Sequence, residues 1–262
     1  MKVLVTVKEV AEVADDFEFV ENAVDETYLE YDLNEWDDYA VESAVQLEEA
    51  GIAEEVVAAT IGPERAEETI RMALAKGADR AVRVWDEALE SQALIDVATK
   101  AEIFAAIVEE EEPDLVLTGV QAHDDSFGAT GVALAERVDF EWAAVVNDLE
   151  IDDDVAHVRR ELEGGVEELT DVDLPAVFTI QTGINEPRYA SLRGIRQAQS
   201  KEITPKTLAD LGLGANDAAS VLQIGEMFEP EAEGEATYLE GEPADQAAQL
   251  ADVLGEAGVL SE

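Results

Sequence analysis

"EEVVAATIGPERAEETIRMALAKGADRAVRVW", residues 54–85, places two apolar runs of strand length on either side of one amphipathic stretch. The first run, through "VVAAT", is almost continuously apolar, as in a strand buried on both faces rather than one with a solvated side. Pro63 stands at a first-turn position and Gly77 at a stop, so 63–77 reads as a helix. "RAVRVW" (80–85) is a second strand. Strand, helix and strand in so short a span predict a right-handed crossover between parallel neighbours.

The same rhythm extends in both directions. "KVLVTV" (2–7) is a strand, followed by a polar, acid-rich stretch to about residue 33. "NEWDDYAVESAVQLEEAG" (34–51) opens with Asn34 as N-cap and ends at Gly51, giving a helix. "SQALIDVATKAEIFAAIVEEE" (91–111) reads as a long helix and "PDLVLTG" (113–119) as a strand. Four strands separated by helical segments predict an α/β fold, Rossmann-like, around a mainly parallel sheet. After Gly131 the pattern changes. "EWAAVVNDLEIDDDVAHVRRELEGGVEELTDVDLPAVFTI" (141–180) gives four short runs split by "DDD", "EGG" and "DVDLP", which predicts antiparallel hairpin additions.

A helix starting at Pro187 or Arg188 then carries "INEPRYASLRGIRQAQSK" (184–201), with four bases and one acid. The acidic segment 226–243 and the amphipathic "ADQAAQLADVLGEAG" (244–258) follow. The expected division is an α/β nucleotide-binding domain over 1–204 and a C-terminal arm over 205–262. That arm is either linker plus cap or a segment that wraps a partner.

Composition excludes several activities. Of 262 residues, 63 are Asp or Glu and 16 Lys or Arg, a formal charge of -47. Such a surface repels phosphate backbones, so nucleic-acid binding is not expected. The acids are spread over nearly every helix face rather than gathered in one tail, which fits a hydrated surface suited to a salt-rich, halophilic cytosol. With 47% apolar residues the chain still buries a core. There is no cysteine, which excludes disulfides, thiolate nucleophiles and thiolate-held clusters. Only two histidines, His123 and His157, are present, and no EF-hand spacing occurs, so no metal site is expected. "MKVLVTVKEV" reads as a strand rather than a signal peptide, and no apolar run reaches ~18 residues; a cytoplasmic protein without a membrane span is expected.

In open parallel sheets ligands bind beyond the carboxyl ends of the strands, near the point where strand order reverses. Thr6-Val7-Lys8, Ile61-Gly62-Pro63 and "GVQAHDDSFGATG" (119–131) fall at such ends. The third is rich in small residues and opens a helix, as a phosphate cradle does. It is read equally well as a turn with an N-cap. It is neither a Walker A loop nor a GxGxxG fingerprint. Asp124 and Asp125 could be a carboxylate pair, but adjacent side chains diverge, and solvated loop acids are the favoured reading. Trp36 is either a core anchor or a partner for a planar ring. No nucleophile elbow or Ser/His/Asp grouping appears, so no catalytic residue is assigned.

"LPAVFTIQTGINEPRYASLRGIRQAQSKEI" (174–203) closely resembles the signature region of the electron transfer flavoprotein beta subunit. "VLVTVKEV", "GPERAEETIRMALAKGADRA", "DLVLTGVQAHDDSFGATG" and "RELEGG" are similar to the same family in order and spacing. The resemblance implies a heterodimer in which an alpha subunit holds FAD near the interface. It also implies a buried AMP contacted by Thr6, by Asn34, Glu35, Trp36 and Asp37, and by Ile61. The rest of that site would be Gly119, Val120, Gln121 and Ala122 at the strand end, His123, Asp124, Asp125 and Ser126 in the turn, and Phe127, Gly128, Ala129 and Thr130 entering the helix.

Trp36 matches an aromatic close to the flavin, and Glu161 an acid that pairs with an alpha-subunit arginine. Residues 184–201 match a recognition loop for dehydrogenases, with Leu192 as its anchor and Arg188, Tyr189, Arg193 and Arg196 around it. The family passes electrons from acyl-CoA-type dehydrogenases, as in fatty-acid β-oxidation, to a membrane-associated quinone oxidoreductase. Val13, Glu35 and Gly128 depart from the common aromatic, Pro and Asn. A second, bifurcating branch carries another FAD in place of AMP, but "SFGATGVA" lacks its Thr, Gln and Gly-Pro pattern, so AMP is expected. The remaining alternative is a stand-alone ATP- or AMP-binding stress-type module.

Overall fold

A computed structural model describes residues 1–20, 23–229 and 238–259. The chain enters through β1 (Lys2–Thr6) and then makes two antiparallel ribbons, β2 (Glu9–Val13) with β5 (Leu29–Leu33) and β3 (Phe19–Val20) with β4 (Ala23–Val24). The alternating crossovers follow: α1 (Glu35–Glu49), β6 (Glu55–Ile61), α2 (Glu67–Lys76), β7 (Arg80–Val84), α3 (Glu87–Glu90), α4 (Val97–Glu111), β8 (Leu115–Gly119) and α5 (Thr130–Val138). Next come β9 (Glu141–Asp152), β10 (Val155–Leu162), β11 (Val166–Asp173) and β12 (Ala176–Ile180), and finally α6 (Leu192–Ala198) and β13 (Ile203–Lys206).

One nine-stranded sheet has the order β11-β10-β9-β12-β8-β1-β6-β7-β13. Pairing is parallel from β9 through to β13, while β10 and β11 are antiparallel additions at one edge. The fold is therefore the expected α/β class, a mostly parallel sheet with antiparallel hairpins. Strand β12 returns from the hairpins into the parallel part of the sheet, between β9 and β8. Register slips between Phe178 and Ile180 in that pairing, and Val145 opposite takes a φ of 62°.

Both faces of the central strands are buried, which is why their sequences lack alternation. Val3 and Val5 point to the face covered by Ala40, Val41 and Ala44 of α1 and Ile70 and Leu74 of α2. Leu4 points to the other face, under Ile103 and Ile107 of α4 and Leu134 of α5. Strand order reverses at β1, with β6 on one side and β8 on the other.

Three local differences from the sequence reading have physical causes. The polar stretch before residue 33 contains the β2–β5 ribbon, in which β5 (LEYDL) alternates but β2 (EVAEV) does not. Helix α4 begins at Val97 rather than near Ser91, because Asp96 caps it by accepting from the Thr99 amide at 2.8 Å. Helix α6 begins at Leu192, not at Pro187 or Arg188, because the Ser191 hydroxyl caps it from the Gly194 amide at 3.0 Å.

Residues Met1–Gly225 form one compact unit and Glu226–Glu262 a second. Leu208 and Ala218 lie in the core of the first. The second contains α7 (Pro243–Glu256), started by Pro243 and exposing Leu250 and Val253. Part of the acidic segment read above, residues 230–237, lies outside the described residues, so its arm or linker role is not addressed by the structure. Among the described residues no helix is long and apolar enough to cross a membrane, and no cluster of His, Asp or Glu could hold a metal ion.

Phe178 is fully buried on β12. Phe178→Ala is expected to lower the unfolding free energy by about 3–5 kcal/mol, read as a reduced urea midpoint at unchanged slope.

Candidate functional site

The C-terminal ends of β1, β6 and β8 meet the N-terminus of α1 at the point where strand order reverses. Asp37, in the first turn of α1, is the connector. Its carboxylate accepts from the backbone amides of Lys8 (2.8 Å) and Gly119 (3.0 Å), the residues that leave β1 and end β8. Gly119 must be glycine here. A Cβ would come within 2.5 Å of Asp37 Oδ1 and 2.6 Å of Trp36 Cβ. Burial pushes the Asp37 carboxyl up to about 7, against the hydrogen bonds from Gly119, Lys8 and Asn34 that favour its charged form.

Asn34 is 1% exposed and does not cap α1 with its side chain. Its amide nitrogen instead donates to the Gln121 carbonyl at 2.9 Å, while its Oδ1 is buried with no hydrogen-bond partner. Such an acceptor costs stability unless a donor reaches it. Trp36, half-buried, fixes its ring by donating Nε1–H to Gln181 Oε1 at 2.9 Å. Thr6 is buried at the end of β1 and Ile61 ends β6. Glu35 is exposed.

Residues 119–130 fold as the turn that opens α5. Ser126 and Gly128 both take positive φ, 52° and 60°, and the Ser126 amide closes the turn on the Ala122 carbonyl at 2.8 Å. The N-cap of α5, Ala129, supplies no side-chain bond, leaving its first-turn N–H groups uncapped. Gly131 lets the helix start against Thr118 and Thr179. Two ammonium groups hold the turn. Lys8 Nζ donates to Asp124 (2.5 Å) and Asp125 (2.8 Å), and Lys100 of α4 donates to the same Asp125 oxygen. The structure therefore brings Thr6, Asn34, Trp36, Asp37, Ile61 and the 119–130 loop to one sheet edge. Lys8, Lys100 and Gln181 complete it; Lys100 and Gln181 were not expected, and Lys8 only as part of the strand-end segment 6–8. Lys8 directly follows the first strand, which is a usable signal; Lys100 carries none, since it reads as an ordinary helix residue.

A concavity of about 1550 Å³ opens elsewhere, at the starts of the strands, where Met1, Asp114 and Pro175 line it. It lies at the strand starts rather than beyond their carboxyl ends, so it is not where an open parallel sheet places a ligand.

The basic stretch is fastened to the first unit at both ends. Arg188 donates to Glu42 at 2.7 Å and to Glu49 at 2.6 Å, both on α1. Burial works to raise the Glu42 carboxyl, but the bonds from Arg188 and Gln46 outweigh it and hold it below the usual range. Asn185 donates to the Tyr39 carbonyl and the Ser43 hydroxyl. Lys201 donates to the carbonyls of Leu74, Gly77 and Ala78, closing the C-terminus of α2. Between these anchors, Tyr189 and Leu192 are 98% and 77% exposed. Glu161 is exposed on β10, opposite Glu167.

Residues 22–211 match the electron transfer flavoprotein domain model. The chain is 46% identical to the electron transfer flavoprotein subunit beta of Methylophilus methylotrophus, covering 98% of both chains. It is 39% identical to the mitochondrial beta subunit of Oryza sativa subsp. indica, over 88% of this chain and 90% of that one. With the beta subunit of Bacillus subtilis the identity is 36%, over 86% of each. The chain belongs to the electron transfer flavoprotein family, as a beta subunit. The expected family is thus borne out over 98% of the chain, and the alternative of a stress-type nucleotide module falls away.

Asp37 gives a pH signature. Below its unfolded value of 3.8 both states hold the proton; between 3.8 and about 7 only the folded state does, so stability falls as pH rises through that window. Across it, the stability of the wild type relative to Asp37→Asn should decline by about 3–4 kcal/mol, measured by urea unfolding at fixed salt from pH 4 to pH 8.

Proposed function

We propose that this beta subunit pairs with an alpha subunit to form a soluble cytoplasmic electron carrier. In this reading FAD lies near the subunit interface, held chiefly by the alpha chain, and AMP is buried in this one. Electrons arrive from acyl-CoA-type dehydrogenases and leave to a membrane-associated quinone oxidoreductase. The flavin, when bound, supplies the redox chemistry. This chain's residues position, shield and dock.

The AMP part rests on the geometry at the reversal of strand order. The uncapped first turn of α5 suits a phosphate, with the positive end of the helix dipole behind it. The buried Asn34 Oδ1 lacks a donor, which a ribose hydroxyl or the adenine amino group would supply. Trp36, pinned by Gln181, offers a ring face at the same edge.

The observation that carries the docking part concerns charge. Every lysine and arginine outside α6 has an acid or carbonyl partner among the described residues. Arg193 and Arg196 have none among the described residues. They lie one helical step apart beside the exposed Leu192 and Ile195. An apolar anchor ringed by free guanidinium groups suits an acidic partner with an apolar pocket. Arg188 serves this stretch from behind, as a brace to α1. Glu161, which has no cation partner among the described residues, stands ready on β10 for a cation of the alpha subunit.

Two measurements test the proposal. Nucleotides released from the purified heterodimer should amount to one FAD and one AMP; two FAD without AMP would assign the chain to the bifurcating branch instead. Leu192→Ala should slow reduction by a dehydrogenase by at least tenfold while flavin content stays the same, and an unchanged rate would remove the docking role.

A further inference from the structure

A phosphate cradle in this loop meets an electrostatic obstacle. Asp124 and Asp125 lie in the turn that leads into α5, six and five residues before its first residue. Two carboxylates there would repel a phosphate dianion and cancel the attraction of the helix terminus. The chain has six lysines, and two of them converge on these acids.

The geometry is specific. Asp125 uses Oδ2 for both Lys8 and Lys100, and turns Oδ1 to the Phe127 amide at 3.2 Å. Asp124 accepts from Lys8 and from the Asp125 amide at 2.7 Å. Lys100 also lies over the Phe127 ring, with its nitrogen 5.1 Å from the centroid. Burial and then the charge of Lys8 depress the Lys100 ammonium below the usual lysine range, in spite of Asp125. Burial would raise the Asp125 carboxyl, yet the bonds from Lys100 and Lys8 outweigh it and keep it ionised. Two cations are thus held together at a cost that the two carboxylates offset. Lys100 comes from α4 and Lys8 from the short segment that follows β1, so the turn is tied to two separate parts of the fold.

We propose that Lys8 and Lys100 are positioning residues for the nucleotide: they neutralise Asp124 and Asp125 and fold them back, so that the turn presents amides rather than carboxylates to a phosphate. The inference rests on the AMP reading above and goes beyond it, because it assigns the two lysines to the acids and not to the ligand.

That distinction sets the experiment. AMP binding to nucleotide-stripped full-length protein is measured by calorimetry at one fixed salt concentration, with circular dichroism as the folding control. Lys100→Met should bind AMP at least tenfold more weakly than wild type. The double variant Lys100→Met/Asp125→Asn should recover to within about threefold, since it removes the acid that the lysine neutralised. Lys8→Met and Lys8→Met/Asp124→Asn form a second, more exposed pair, which decides the matter if Lys100→Met does not fold. A single variant that binds like wild type overturns the inference. So does a double variant as weak as its single, which would make the lysine a direct phosphate ligand. Failure of the unaltered protein to bind AMP overturns the nucleotide reading itself, and this inference with it.

Discussion

The carboxylate of Asp37 is the constraint on which the site depends. Parallel sheets leave the amides at their strand ends without ladder partners, and where strand order reverses the neighbouring loops diverge to opposite faces. Here one side chain accepts from the amide leaving β1 and from the amide ending β8, and it does so from the first turn of α1. Three elements are thereby fixed to one another at the place where a nucleotide would lie. The cost is a carboxyl buried far enough that its proton equilibrium moves to near neutrality. An apolar residue would fill the space but leave both amides unsatisfied.

The fold was legible wherever burial was two-sided and local. The runs around Val3, Val57 and Val116 read as strands because neither face needs polar residues. The α1 boundary was legible because Asn34 and Gly51 sit at its ends. Local competition explains most of what was missed. Pro187 looked like a helix start, but the Ser191 cap comes later and the backbone between them is held open by Arg188 reaching α1. In the β2–β5 ribbon only β5 alternates, and its acids resemble the rest of this acidic chain.

The site was legible from the family resemblance more than from spacing. Phosphate cradle and plain turn share the same small residues, and what separates them is not local. The Lys8–Asp124, Lys100–Asp125 and Trp36–Gln181 contacts join segments 116, 25 and 145 residues apart. No periodicity records such pairs. The basic stretch shows the same limit in reverse. Its four cations form one island in the sequence, but Arg188 and Lys201 are spent inside the fold, and only Arg193 and Arg196 face outward.

That division changes how salt would act on docking. A chain with a formal charge of -47 presents a negative field to any acidic partner at distances beyond the reach of two guanidinium groups. At ~0.15 M salt the screening length is about 8 Å, so the summed acids oppose approach before α6 is reached. At ~1 M it falls to about 3 Å, and only charges in near contact are felt. The local patch at Arg193 and Arg196 then outweighs the distant acids, and the Leu192 anchor gains as well if the salt strengthens apolar burial. On the docking reading, high salt therefore favours rather than weakens this encounter, the reverse of an interface steered by opposite net charges. On that reading, the composition that would hinder approach in dilute solution would leave the α6 patch effective in brine.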